Sequence, residues 1–120
     1  MIKKITFALT AAAALALASP SLAQDMFAVS GSDLGSGKDD YTGKVAVTKS
    51  GNTWKLEWTI KGETSIKGTG VILDGCCLAA TGVYEGKPYV FLLKADGAKF
   101  VGIWTIDGET KVGRETWIPQ

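Results

Sequence analysis

Residues 54–61 alternate strictly between large apolar and polar side chains, and this alternation indicates the fold class. Successive side chains of a β-strand point to opposite faces, so such a segment forms a strand with one buried and one solvated face. Residues 41–49 show the same alternation around Val45 and Val47. The buried face of the later strand is predicted to carry Trp54, Leu56, Trp58 and Ile60.

A two-residue turn at Ser50-Gly51 is predicted to join these strands into a hairpin. This turn would pair Gly43 with Trp58, so the indole would cover a residue that has no side chain. By the same reasoning, Asp96-Gly97 is predicted to form the turn of a later hairpin. In both hairpins the aromatic side chains then share one face.

Turn glycines recur along the chain at intervals of 11 or 13 residues, and the segments between them have no helical period. These segments are not copies of one motif, so a repeat architecture is not expected. The spacing predicts eight strands connected by hairpins, an all-β, antiparallel up-and-down β-barrel, because closure removes the two exposed edges. An open sheet or a small sandwich is the alternative. The turn glycines are Gly51, Gly62, Gly75, Gly86, Gly97 and Gly108.

The N-terminus has the features of a secretory signal peptide. Lysines precede an apolar run that is too short to span a bilayer comfortably, and Ser21-Leu22-Ala23 is a small-x-small cleavage site. We therefore assign residues 1–23 to the signal peptide and residues 24–120 to a single barrel domain. The residue directly after the cleavage site is Gln24 and not cysteine, so the expected product is periplasmic or secreted and is not a lipoprotein.

Composition argues against several classes of function. The chain contains no histidine, which excludes catalytic triads, imidazole bases and histidine metal sites. We expect a protein that is not an enzyme and that uses no cofactor. Of the 13 basic residues, Lys3 and Lys4 lie in the signal peptide, so 11 basic and 12 acidic residues nearly balance in the mature chain. This balance argues against nucleic acid or a membrane as its partner.

Cys76-Cys77 is the only pair of cysteines in the chain. Three states are possible: two free thiols on opposite faces of a strand, a vicinal disulfide in the turn after Asp74-Gly75, or an intermolecular bond. Two thiolates without further ligands are too few for a metal site, so none is expected.

Two further groups of residues allow alternative interpretations. The four tryptophans, Trp54, Trp58, Trp104 and Trp117, either pack the interior or form a stacking wall for a flat ligand. In the segment 113–117, either Glu115 or Arg114 must face inward if the strand closes the barrel. An inward charge is a structural partner near the barrel end or a polar anchor for a ligand.

The longer loops, including residues 31–40, fall at one end of the predicted barrel, and this end is expected to be the mouth. Trp58 and Trp104 are predicted to form the stacking surface there. Tyr41, Tyr89 and Glu115 are predicted to make the polar contacts.

The layout from Met26 to Gln120 resembles the calycin-type barrels, the lipocalins and avidins. Gly102-Ile103-Trp104 resembles their Gly-x-Trp signature, and Arg114 is a late basic residue that could pack over an indole. In lipocalins the signature lies in the first strand, whereas here it lies in the penultimate one. The resemblance implies an eight-stranded barrel with an aromatic-lined cavity that binds a small molecule.

Two functions are therefore expected to compete. The first is a non-catalytic carrier that binds a small apolar or aromatic ligand in the barrel mouth. The second is a protein-interaction module, such as an inhibitor or adhesin, that has a filled core and acts through its loops. An open aromatic cavity favours the first, and a packed lumen with an exposed apolar patch favours the second.

Overall fold

The structure is a computed structural model that describes residues 24–62 and 64–120. This part of the chain is all β, with no helix. Eight strands follow one another: β1 (Gln24–Gly31), β2 (Tyr41–Ser50), β3 (Thr53–Ile60), β4 (Thr64–Leu73), β5 (Cys77–Tyr84), β6 (Lys87–Asp96), β7 (Lys99–Ile106) and β8 (Gly113–Pro119).

The eight strands form a closed barrel in which each strand pairs with its sequence neighbours. The last strand closes the barrel on the first, because Phe27–Gly31 of β1 pairs antiparallel with Glu115–Pro119 of β8. The predicted all-β, up-and-down barrel is thus confirmed. The predicted signal peptide, residues 1–23, lies outside the described residues. Within the described residues, no helix is long and apolar enough to cross a membrane.

The first hairpin has its turn one residue later than the sequence suggested. Ser50 pairs with Thr53, so the turn is Gly51-Asn52. Gly51 has a φ of 61°, whereas Asn52 is not among the residues with positive φ. This is the pattern of a type II′ turn, which requires glycine at the first central position. The Ser50-Gly51 assignment would instead have placed glycine second and required positive φ at Ser50.

This correction moves the pairing by two residues. Gly43 faces Ile60, and Trp58 faces Val45, so the predicted placement of Gly43 beneath Trp58 is wrong. The Asp96-Gly97 hairpin shows the same error, because Asp96 pairs with Lys99 and leaves Gly97-Ala98 as the turn.

The predicted faces are nevertheless confirmed. Leu56 and Trp58 are buried, and the other two members of that face, Trp54 and Ile60, are partly buried against the core. Lys55 on the opposite face is exposed. Side chains from every strand contribute to the core of the barrel. The chief ones are Val29, Val45, Leu56, Trp58, Leu78, Phe91, Leu93 and Trp117.

The two cysteines form a vicinal disulfide, which was one of the three states left open by the sequence. The bond lies where β4 turns into β5, and Cys76 N–H donates to the Leu73 carbonyl across that turn. Ala95 N–H of the neighbouring hairpin donates to the Cys76 carbonyl. Cys76 is exposed and Cys77 is partly buried.

One side of the outer barrel surface is apolar. A single row of residues crosses β4 to β7, because each member pairs with the next on the adjacent strand. Its members are Val71, Ala79, Leu92 and Ile103. Three of them are large and substantially exposed: Val71 (54%), Leu92 (52%) and Ile103 (43%).

Candidate functional site

A cavity of about 170 Å³ opens at the end of the barrel that carries the longer loops. This is the end predicted to be the mouth. All five residues chosen from the sequence line this cavity, and the structure therefore brings them together: Tyr41, Trp58, Tyr89, Trp104 and Glu115.

Aromatic rings from β3, β6 and β7 form one wall of the cavity. Tyr89 and Trp104 stack with their ring centroids 5.8 Å apart and their planes at 7°. Phe91, the next inward residue on β6, stacks on Trp58 at 4.6 Å between centroids. Trp104 also lies near Phe91, at 6.3 Å, which joins the two stacks. The rings therefore both pack against one another and line the cavity.

Glu115 is the buried polar group of the site. Its side chain points into the barrel and is 3% exposed, while its neighbour Arg114 is exposed on the outside. Glu115 Oε1 accepts hydrogen bonds from Trp58 Nε1 (3.1 Å) and Trp117 Nε1 (2.7 Å). Glu115 Oε2 accepts one from the Tyr41 hydroxyl (2.5 Å). Of the two orientations left open by the sequence, the structure adopts the one with Glu115 inward.

Glycines lie beside Glu115 on both neighbouring strands. Glu115 pairs with Gly31 on β1 and with Gly102 on β7. Tyr41 pairs with Gly31 from the other side. A Cβ at Gly31 would collide with the Tyr41 phenol, so glycine there lets the hydroxyl pass over β1 and reach Glu115.

Burial raises the pKa of Glu115 above its ordinary value, and the hydrogen bonds from Tyr41, Trp117 and Trp58 act against this rise. Burial also raises the pKa of Tyr41, and the nearby Glu115 carboxylate reinforces the increase. At the mouth, burial raises the pKa of Tyr89, with smaller contributions from Tyr84 and Glu85. The phenols therefore remain neutral donors at ordinary pH.

Trp104 differs from Trp58 in its hydrogen bonding. Its indole nitrogen is buried and has no hydrogen-bond partner among the residues that the structure describes, whereas the Trp58 indole donates to Glu115. Glu115 lies on β8 two residues after Gly113, the strand partner of Trp104. On β4 the corresponding position, two residues after Ile66, the strand partner of Trp58, is Gly68. Gly68 has no side chain that could accept a hydrogen bond.

A sequence signal that relates these two tryptophans was missed. The peptide from Trp58 to Thr64 reads WTIKGET, and the peptide from Trp104 to Thr110 reads WTIDGET. Each tryptophan lies two residues before the last residue of its strand and faces the lumen. The segments are thus partly copies of one motif, contrary to our expectation, and the repeat marks both tryptophans as equivalent positions near the mouth.

The rim of the cavity includes residues that the sequence did not single out. Asp33 and Lys61, both exposed, bring opposite charges to the entrance. Tyr84 contributes a ring that meets Tyr89 edge to face, with 6.5 Å between centroids. No periodic pattern in the sequence distinguishes these loop and strand-end residues.

The first loop, residues 32–40, is attached to the β8 side of the rim. Ser32 N–H donates to the Arg114 carbonyl (2.8 Å), and Arg114 N–H donates to the Ser32 hydroxyl (2.9 Å). Further along, Gly35 N–H donates to the Val112 carbonyl (2.9 Å). These bonds hold the start of the loop beside the cavity and leave its tip exposed.

Among residues 24–62 and 64–120, no group of three or more potential metal ligands comes together. The chain matches no protein-family model, and it matches no curated protein. The closed eight-stranded barrel is compatible with the calycin-like architecture that the sequence resembles.

Proposed function

We propose that this protein is a non-catalytic carrier that binds a small apolar or aromatic compound in the barrel mouth. The observation that supports this function is the cavity of about 170 Å³ lined by aromatic rings. Apolar cavities of about 150 Å³ accept benzene, whereas pockets for drug-sized ligands occupy about 300–1,000 Å³. The expected ligand therefore has one ring or a branched chain of similar size.

The barrel interior is filled towards one end and holds the cavity at the other, and this arrangement also favours the proposal. Towards the opposite end, the interior is filled by residues such as Val47, Leu78 and Leu93, which are buried. The cavity lies beside the Tyr89–Trp104 stack and the Glu115–Tyr41 hydrogen bond, where an apolar surface meets a few polar atoms. Binding sites for small molecules commonly combine these two features.

The proposed location is the periplasm or the extracellular medium. The support comes from residues 1–23, whose lysines, apolar run and cleavage site are typical of a secretory signal peptide. The near balance of basic and acidic residues fits a protein whose partner is a small molecule and not nucleic acid or a membrane surface.

A titration with single-ring compounds such as toluene and benzyl alcohol tests the proposal, with tryptophan fluorescence as the readout. We expect saturable binding to the parent protein and at least tenfold weaker binding to Ile60→Phe, because the added ring would occupy the cavity that Ile60 lines. Ile72→Phe is the matched control: Ile72 is also partly buried in the lumen but lies near the opposite end of β4.

Trp104→Phe and Tyr41→Phe should both change the affinity, since each residue lines the cavity. Equal affinities for the parent and both variants would exclude this location for the ligand. Equal binding of a probe to Ile60→Phe and Ile72→Phe would contradict the carrier function itself.

A protein-interaction module is the second candidate. The apolar row formed by Val71, Ala79, Leu92 and Ile103 favours it, because exposed apolar patches often mark interaction sites. We rank it second because, in the described part of the chain, no feature identifies what would cover the row. Native mass spectrometry of protein isolated from its own compartment separates the two candidates, since it detects either a retained small molecule or a bound protein.

A further inference from the structure

Within the described part of the chain, the carboxylate of Glu115 has no cationic partner. Its three hydrogen-bond donors, Tyr41, Trp58 and Trp117, are all neutral. Among residues 24–62 and 64–120, the one ion pair joins Lys99 to Asp96 on the outer surface. A buried carboxylate without a counter-charge is costly, even when it is hydrogen-bonded.

Glu115 also retains capacity for another donor. A carboxylate offers about four acceptor positions, and three hydrogen bonds to Glu115 are formed within the protein. The side chain lines the cavity, so a ligand in the cavity lies beside the carboxylate. A ligand with a positive charge would supply the counter-charge that the protein itself does not provide.

The walls of the cavity are suited to the same chemistry. Trp58, Tyr89, Phe91 and Trp104 all line it, and their rings form a continuous stacked wall. Aromatic faces attract cations within about 6 Å of the ring centroid, and tryptophan does so most strongly. Aromatic rings beside a buried carboxylate form a typical environment for an organic ammonium group.

We propose that the ligand is a small organic cation, a quaternary ammonium or a protonated amine with an apolar body, and that Glu115 is its counter-ion. This inference rests on the proposed carrier function and specifies the class of ligand. The volume of about 170 Å³ is sufficient for a trimethylammonium group with a short chain. Asp33 and Lys61 at the rim have opposite charges, so the entrance itself does not strongly favour either cationic or anionic ligands.

The test compares choline with 3,3-dimethylbutan-1-ol, which replaces the quaternary nitrogen by carbon and has nearly the same shape. Isothermal titration at low ionic strength measures both affinities in the parent protein. We expect choline to bind at least tenfold more tightly than the neutral alcohol. In Glu115→Gln, choline should lose at least tenfold in affinity, while the affinity for the alcohol should change by less than about threefold.

The comparison in the parent protein needs no variant, so the proposal remains testable even if Glu115→Gln fails to fold. Equal or tighter binding of the neutral alcohol would overturn the cation preference and leave the carrier function intact. Tighter binding of choline with no effect of Glu115→Gln would overturn the role of Glu115. If neither these two compounds nor the single-ring probes bind, the carrier function itself fails, and this inference fails with it.

Discussion

At the residue scale, Glu115 connects the packing of the barrel to the chemistry of its cavity. The carboxylate is an acceptor for two buried indoles, Trp58 and Trp117, and for the Tyr41 hydroxyl. A buried donor that loses its acceptor costs about 1–3 kcal/mol, whereas a hydrogen bond that is kept contributes much less. The identity of residue 115 should therefore affect stability strongly.

We expect Glu115→Ala to lower the free energy of unfolding by about 2–4 kcal/mol, because two buried indole N–H groups would lose their acceptor. Chemical denaturation followed by fluorescence measures this change. Glu115→Gln is the control: its amide oxygen can accept from both indoles, and its amide group can donate to the Tyr41 oxygen. An alanine variant as stable as the glutamine variant would show that these hydrogen bonds contribute little.

The same pair of proteins tests the pKa of Glu115. Because burial raises the pKa of Glu115, ionisation of this group is less favourable in the folded state than in the unfolded state. The contribution of this pKa difference to the free energy of unfolding is fully present below the ordinary glutamate pKa. It is lost as the pH rises through the raised pKa of folded Glu115. The stability of Glu115→Gln relative to the parent should therefore increase with pH over this range. A relative stability that decreases would mean that the three hydrogen bonds outweigh burial.

At the scale of the strands, alternation was a better guide than turn chemistry. Side-chain direction has a period of two, so the two-residue error in the first hairpin changed the partner of Trp58 but not its face. The error arose because Gly51-Asn52 and Ser50-Gly51 are both acceptable turns, and only the backbone conformation distinguishes them.

Gly43→Val tests the close contact between β2 and β3 at Gly43. A Cβ at Gly43 would collide with the Thr59 carbonyl oxygen, a main-chain atom that cannot move without disturbing β3. We expect a loss of stability of about 1–3 kcal/mol or more, as is typical of overpacking. Thr42→Val is the matched control, since Thr42 is the exposed neighbour on the same strand. Thermal melts that coincide for both variants would contradict the contact.

At the scale of the whole molecule, the hairpins could be predicted from the sequence, but the closure of the barrel could be predicted only in part. Each hairpin is local, so its turn residues and alternation are visible in a short window. The pairing of β1 with β8 that closes the barrel places Gly31 beside Glu115, although the two residues are far apart in the sequence. No local sequence pattern specifies the register of that pairing. For this reason the sequence supported an inward Glu115 only as one of two orientations. It did not predict that Gly31 would lie beside Glu115 and let the Tyr41 hydroxyl reach the carboxylate.

The stability of the barrel should depend on its closed sheet and core, not on its disulfide. The bond joins Cys76 to Cys77, at a sequence separation of 1, so it closes essentially no loop of the unfolded chain. A disulfide that closes a 15-residue loop stabilises a protein by about 3 kcal/mol in the chain-entropy account, and this contribution becomes negligible for adjacent residues. The turn is also held by main-chain hydrogen bonds from Cys76 and Ala95.

We therefore expect reduction to change the free energy of unfolding by less than about 1 kcal/mol. Denaturation curves with and without a phosphine reductant measure this change, and intact mass confirms the gain of two hydrogen atoms. The double variant Cys76→Ser, Cys77→Ser is the control, because it removes the bond without a reductant. A loss of more than about 2 kcal/mol in both the reduced protein and the variant would show that the bond holds the β4–β5 turn in place. The core and the hydrogen-bonded sheet would then be insufficient to maintain the barrel at that end.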